Sequence, residues 1–239
     1  MKVNLFIPCL VDQFFPEVGV ATVKILKKVG CEVNYPFEQT CCGQPAFNTG
    51  YRREAKILAE RFIKIFAESD YIVAPSGSCV SMVKVFYDDL DLPQNLQSDL
   101  RILKNKIFEL SEFLVDVLNV TDVGTSFRGK VTYHESCHLL RELHVSGQPR
   151  LLISNIKGVE FIEMKDSNRC CGFGGTFSVK FPELSHIITE DKVKSIEESG
   201  TDYVIGCDSS CLMNIERVLM KRKSHIKTMH LSELLSSGW

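Results

Sequence analysis

A pair of adjacent cysteines followed by glycine occurs twice in this 239-residue chain, as Cys41-Cys42-Gly43 and as Cys170-Cys171-Gly172. Neighbouring side chains point to opposite faces of a strand and lie about 100° apart around a helix. Two adjacent thiols can therefore face one point only at an irregular turn, which glycine permits because it has no Cβ. The motif predicts two turns that each present a pair of thiols to a common ligand.

The sequence around each pair is repeated as well. The segment 3–9 aligns with 131–137, and 70–79 aligns with 202–211, with a cysteine at the end of each segment. The order of these segments is the same on both sides of the chain. We therefore predict two repeats, at residues 1–122 and 128–239, with the polar segment 116–130 as the linker.

Each repeat alternates strand and helix patterns. Helices are predicted at 19–29, 149–156 and, most clearly from its amphipathic pattern, 51–66, and buried strands at 71–74 and 203–205. This alternation predicts an α/β fold of two pseudo-symmetric βαβ repeats, with parallel sheets flanked by helices. Functional side chains collect at the carboxyl ends of such strands. The repeated cysteines all fall at these ends.

The cysteines divide into two sets of candidate ligands. Soft thiolates at mixed spacings suit an iron–sulfur cluster, and four thiolates also suit a tetrahedral zinc ion. Pro75 aligns with Cys207, so we expect the first set to have one thiol fewer, and zinc is an alternative there. Cofactor-binding and metal-binding residues are predicted to be Cys9, Cys41, Cys42 and Cys79 in the first repeat, and Cys137, Cys170, Cys171, Cys207 and Cys211 in the second.

Composition argues against several other classes of protein. A formal net charge of -2 provides no basic field for a nucleic-acid backbone. No apolar run reaches the roughly 20 residues that cross a bilayer. The amino-terminal apolar run is too short for a signal peptide. We expect a cytoplasmic protein, in which clustered cysteines indicate metal or redox chemistry rather than disulfides.

The strings Tyr133-His-Glu-Ser-Cys-His138 and Cys170-Cys-Gly-Phe-Gly-Gly-Thr-Phe177 resemble those of the Cys-Cys-Gly domain proteins, typified by the B subunit of heterodisulfide reductase and the iron–sulfur subunit of glycolate oxidase. The resemblance covers both repeats. It implies cysteine-bound 4Fe-4S clusters, including the five-cysteine non-cubane kind, in an oxidoreductase complex that oxidises L-lactate to pyruvate. It also implies two further proteins of a lactate-utilization complex as partners.

Two other functions are compatible with the same residues. One is a heterodisulfide or thiol reductase subunit, and the other is a zinc-stabilised scaffold without redox turnover. His134 and His138 flank Cys137 and could serve as ligands, proton carriers or hydrogen-bond donors to sulfur. For His134 we favour hydrogen bonding at a strand end, and for His138 the alternatives stay open.

Overall fold

The computed structural model describes all 239 residues and contains two four-stranded sheets, in which every pairing is parallel. Their orders are β2-β1-β3-β4 and β6-β5-β7-β8, so the second half repeats the topology of the first. The predicted α/β fold with two similar βαβ halves is confirmed. The strands are β1 (Lys2–Leu5), β2 (Glu32–Asn34), β3 (Ile72–Ala74), β4 (Ile107–Glu109), β5 (Ser126–His134), β6 (Lys157–Phe161), β7 (Tyr203–Gly206) and β8 (Lys227–His230).

Helices cover the sheets in both halves. In the first half they are α1 (Cys9–Phe14), α2 (Pro16–Lys28), α3 (Gln44–Asn48), α4 (Arg52–Phe66), α5 (Gly77–Lys84), α6 (Gln94–Lys104) and α7 (Leu110–Glu112), with a 3₁₀ turn at Phe86–Asp89 and a π turn at Phe113–Val117. In the second half they are α8 (Cys137–Arg141), α9 (Gly147–Ser154), α10 (Phe177–Lys180), α11 (Pro182–Glu198), α12 (Ser209–Lys221) and α13 (Leu231–Ser236).

The elements agree with the sequence pattern to within a few residues at most ends. β5 is an exception, because it begins at Ser126, inside the segment predicted as a linker. Residues 126–131 pair with β6 despite the glycine at position 129, with a register shift between 126 and 129. The short outer strands β4 and β8 have too few residues to show a period in the sequence.

A hydrophobic core shared by the two halves joins the sheets. It contains Val3 and Leu5 of β1 together with Val131 and Tyr133 of β5, all at most 2% exposed. Helix α13 of the second half packs against α2 of the first half and adds its leucines to this core. The two halves are therefore joined by apolar packing as well as by the chain.

A second core lies beneath the cysteines of each half. In the first half this core includes Phe6, Phe62 and Phe66, whose rings pack against one another at centroid distances of 4.6 to 5.9 Å. The corresponding core in the second half includes Val193 and Ile196 of α11. Each set of cysteines thus lies at the edge of its own core. Among the helices of the chain, none combines the length and apolar character that spanning a membrane requires.

Candidate metal-binding sites between the two halves

Four thiols of the first half meet at the carboxyl ends of β1 and β3. Cys9 begins α1, Cys41 and Cys42 precede α3, and Cys79 lies in the first turn of α5. The Cys9 thiol donates to Cys41 Sγ at 3.5 Å, and the Cys42 thiol donates to Cys79 Sγ at 3.4 Å. We call these four residues the first site.

The second half repeats this arrangement with Cys137, Cys170, Cys171 and Cys211, which we call the second site. Cys137 begins α8, and Cys211 lies in the first turn of α12. The thiols of Cys137 and Cys171 lie close enough to Cys170 to shift its pKa, and the sulfurs of Cys171 and Cys211 lie within 4.8 Å of each other. The two sites therefore have the same four thiols at equivalent positions in the fold.

The glycine after each cysteine pair makes the turn possible. Gly43 has φ +89° and Gly172 has φ +79°, in the region that favours glycine. A Cβ at Gly172 would lie 2.6 Å from the Ser185 carbonyl oxygen. The backbone N–H of each glycine donates a hydrogen bond to a cysteine sulfur. The distance is 3.4 Å from Gly43 N to Cys41 Sγ and 3.3 Å from Gly172 N to Cys170 Sγ.

Cys207 is not brought together with the other four cysteines of its half. It directly follows β7 and is fully buried in the core shared by the two halves. Its Sγ accepts a hydrogen bond from Tyr133 Oη at 3.5 Å. Asp208, one residue later, reaches Ser78 of the first half instead, and Cys207 adds no fifth thiol to the second site because its sulfur faces Tyr133. Pro75 at the matching position consequently leaves the first site with as many thiols as the second.

Hydrogen bonds within each site lower the pKa of one thiol and raise the pKa of others. Donation from Cys42 and Cys9 lowers the pKa of Cys41, and donation from Cys137 and Cys171 does the same for the pKa of Cys170. The same bonds, with burial, raise the pKa of Cys42 and Cys171. Each site thus favours one thiolate next to protonated thiols, and binding of a cation would release protons.

The residues behind the thiols differ between the two sites. Phe6 and Phe62 pack edge to face at 4.9 Å behind the first site. The corresponding positions in the second half hold His134 and Lys192, both at most 1% exposed. Lys192 Nζ donates to the carbonyl oxygens of Asp166 and Ser167, each at 2.9 Å. The first site is therefore backed by hydrocarbon and the second by polar groups.

The two histidines near Cys137 also differ in their contacts. His138 Nδ1 lies 3.6 Å from Cys137 Sγ, and its Nε2 lies 3.4 Å from Gln44 Nε2 of the first half. A ring nitrogen of His134 and the sulfurs of Cys171 and Cys211 all lie within 4.8 Å of one another. Burial, followed by the charge of Lys192, lowers the pKa of His134 to about 3. Neither ring nitrogen of His134 has a hydrogen-bond partner, so the hydrogen-bonding role favoured from the sequence is wrong.

A cavity of about 200 Å³ lies between the halves beside the first site. Cys9, Cys41 and Cys79 line it from one side, and Phe173 and Asp208 from the other. A smaller adjoining cavity is lined by thiols of the second site together with Gln44 and Ser78 of the first half. The two sites therefore face a common region at the carboxyl ends of both sheets.

Asp208 connects the two sites, a role that the sequence did not reveal. Its carboxylate accepts hydrogen bonds from Ser78 N at 2.8 Å and Ser78 Oγ at 3.1 Å, next to Cys79. Ser210 Oγ donates to the same carboxylate at 2.8 Å. Asp208 aligns with Ser76, which caps α5 through Cys79 N, but the Asp208 side chain does not cap α12, so the alignment gives no signal for its contact with Ser78.

The donor sets are suited to a thiophilic metal. Each site has four sulfurs, one of them favoured as thiolate, and a backbone N–H directed at sulfur. Thiolates bind zinc, and they also bind the iron of iron–sulfur clusters. The clustered cysteines thus form two candidate metal-binding sites in one α/β protein with internal duplication.

The chain belongs to the CCG family of cysteine-rich domains, which matches it twice, at residues 3–84 and 131–216. The matched segments contain the eight cysteines of the two sites. Similar proteins named Lactate utilization protein A extend over 99% of this chain. Those from Oceanobacillus iheyensis and Bacillus subtilis are 46% and 45% identical and are covered over 97% and 100% of their own lengths. That from an Exiguobacterium species is 48% identical and is covered over 98%.

Proposed function

We propose that this protein is an iron–sulfur electron-transfer subunit of a cytoplasmic oxidoreductase complex that oxidises L-lactate to pyruvate together with two further proteins. The observation that carries the proposal is the pair of four-thiol sites facing a common region between the halves. The identity of 45% to 48% with proteins named Lactate utilization protein A supports the choice of substrate.

The proposed ligands are the eight thiolates of the two sites. A 4Fe-4S cluster, when bound, would accept and pass single electrons. Around it, Gly43 and Gly172 would donate N–H hydrogen bonds to the ligating sulfurs Cys41 and Cys170. Such hydrogen bonds stabilise negative charge on sulfur and so favour the reduced state. Cys207 is left out of the proposed ligand set because its sulfur faces Tyr133.

The substrate is assigned to a partner rather than to this chain. Oxidation of lactate to pyruvate releases two electrons and two protons, and hydride acceptors such as flavin or nicotinamide take them together. Thiolate sites instead suit single-electron transfer. A partner's redox centre would approach the region between the halves, where Cys170 is exposed.

Zinc is the second candidate, because four thiolates also satisfy its tetrahedral preference. The protein would then be a scaffold without redox turnover. Anaerobic purification with iron, sulfide and zinc quantified together separates the two: iron and sulfide with a reducible visible absorption support the cluster, whereas stoichiometric zinc in a colourless protein overturns it.

The function is tested with lactate-dependent dye reduction by a mixture of this protein and its two proposed partner proteins. We expect activity that disappears when this protein is omitted or carries Cys170→Ala. Cys31→Ala is the matched control, because Cys31 is a buried free cysteine in the shared core, away from both sites. Full dye reduction without this protein, or lactate oxidation by this protein alone, would refute the proposal.

A further inference from the structure

His134 is a buried polar side chain whose hydrogen bonds are unmade. It ends β5, is 1% exposed, and neither Nδ1 nor Nε2 has a partner. A buried polar group without a partner costs about 1–3 kcal/mol. Buried polar atoms in native proteins are nearly always bonded, so an unpartnered imidazole beside a thiol cluster indicates a ligand.

The geometry places that ligand among the sulfurs of the second site. One ring nitrogen of His134 lies within 4.8 Å of both Cys171 Sγ and Cys211 Sγ, which are also this close to each other. Donor atoms around a tetrahedral ion with bonds of about 2.3 Å are roughly 3.8 Å apart. The separations between these three donors exceed the spacing of ligand atoms by at most about 1 Å, so a single metal centre can reach all three.

The neighbouring cation does not compete for this nitrogen. Lys192 Nζ is within hydrogen-bond distance of the Asp166 and Ser167 carbonyl oxygens and of Met164 Sδ. These contacts direct its protons away from His134. The imidazole therefore keeps a lone pair for a metal, and neutral imidazole is a common metal ligand.

The first half has an apolar residue at the position equivalent to His134. Phe6 corresponds to His134 there and packs its ring on Phe62 in the hydrophobic core. An apolar ring satisfies the fold at this position. An imidazole at the matching position of the second site, facing two thiols, is not required by the packing.

We infer that His134 is a nitrogen ligand of the metal centre in the second site, which makes this centre one of thiolates and imidazole while the first has thiolates alone. The inference rests on the proposed function only in that the second site binds a metal. His134 then joins the four thiolates of the second site as a fifth donor, which the first site lacks because Phe6 occupies the matching position.

Pulsed electron paramagnetic resonance on the full-length protein, reconstituted anaerobically with iron and sulfide and then reduced, tests the assignment. We expect nitrogen couplings of imidazole that change when the protein is labelled with [¹⁵N]histidine. These couplings should vanish in His134→Phe, which copies the first half. His138→Gln is the matched control, because His138 lies 3.6 Å from Cys137 Sγ, and it should keep them.

Two further measurements keep the test decisive. The first is Phe6→His, which should add a nitrogen coupling to the first site. The second covers the case in which His134→Phe assembles no cluster: the absorption of bound cobalt(II), compared between wild type and this variant, then reports imidazole ligation. Iron bound without histidine coupling, or coupling lost in His138→Gln but kept in His134→Phe, overturns the ligand assignment alone. Wild-type protein that binds neither iron nor cobalt overturns the proposed function and the assignment with it.

Discussion

Cys207 and Cys211 lie at the same strand-to-helix junction but face different surroundings. The sulfur of Cys211 lies within 4.8 Å of that of Cys171 in the second site, whereas Cys207 faces Tyr133 in the shared core. We expect Cys211→Ser to lose most of the metal of the second site and Cys207→Ser to retain it. Metal content per chain, measured in a Cys41→Ser background to isolate the second site, checks this. Equal losses from both substitutions would show that Cys207 is a ligand after all.

Gly172 tests the turn that brings the adjacent thiols together. Its φ of +79° and the 2.6 Å approach of a Cβ to the Ser185 carbonyl oxygen leave no room for alanine. Gly172→Ala should lower the free energy of unfolding by about 1–3 kcal/mol and weaken metal binding at the second site. Gly147→Ala is the control, because a Cβ there meets nothing within 4 Å. Urea unfolding of both variants measures the difference, and identical curves would contradict the role of the turn.

At the scale of elements, the junction between β4 and α7 carries a buried carboxyl group. Burial is the main cause that raises the pKa of Glu109 to about 7, partly offset by hydrogen bonds from Ser111. Because the unfolded chain releases this proton near pH 4.5, stability from the protonated group is present below that pH and is lost as pH rises through 7.

Glu109→Gln should remove this pH dependence, since its side-chain oxygen still accepts from Ser111 N. One pKa unit corresponds to about 1.4 kcal/mol of stability. The free energy of unfolding of wild type should therefore fall between pH 4.5 and pH 8 by on the order of 3 kcal/mol more than that of the variant. Thermal unfolding between these pH values measures the change. Glu198 is exposed, so the stability of Glu198→Gln should vary with pH as that of wild type does. The same pH dependence in Glu109→Gln as in wild type would contradict the raised pKa of Glu109.

Helix α13 makes the stability of the first half depend on the second. Leu234 is fully buried in the shared core, and α13 packs on α2. Leu234→Ala should cost about 2–5 kcal/mol, whereas the exposed Leu184→Ala should change stability by less than about 0.5 kcal/mol.

Unfolding of Leu234→Ala should remain a single transition. Trp239, the one tryptophan, stacks under Lys28 Nζ at 3.7 Å and so reports on the contact between the halves. Its fluorescence should change at the same urea concentration as the circular dichroism. Two separated transitions would mean that the halves fold independently.

At the scale of the whole molecule, Asp208 couples a residue of the second half to the first site. Asp208→Ala leaves Ser78 N–H, beside Cys79, without its acceptor, at a cost of about 1–3 kcal/mol. In a Cys170→Ser background, where only the first site is intact, we expect metal transfer to a chelator to be about 5-fold faster or more. Asp202→Ala, at the exposed end of β7, should leave the rate unchanged. An unchanged rate in Asp208→Ala would mean that the sites are independent.

The sequence by itself determined the duplication and the α/β class, and it predicted nine converging thiols, of which Cys207 lies apart from the rest in the shared core. These follow from short-range rules: strand and helix periods are local, and parallel topology brings strand ends to one edge. Glycine after each cysteine pair similarly has a local cause in backbone geometry.

Only the tertiary structure decided which face each strand-end residue presents. Cys207 and Asp208 are neighbours in sequence, yet one enters the shared core and the other reaches Ser78 of the first half. His134 is separated from Cys171 and Cys211 along the chain but lies beside them, with no polar group to bond its ring. Such placements depend on how the two halves dock and how side chains fill the space between them, and neither leaves a periodic pattern in a single sequence.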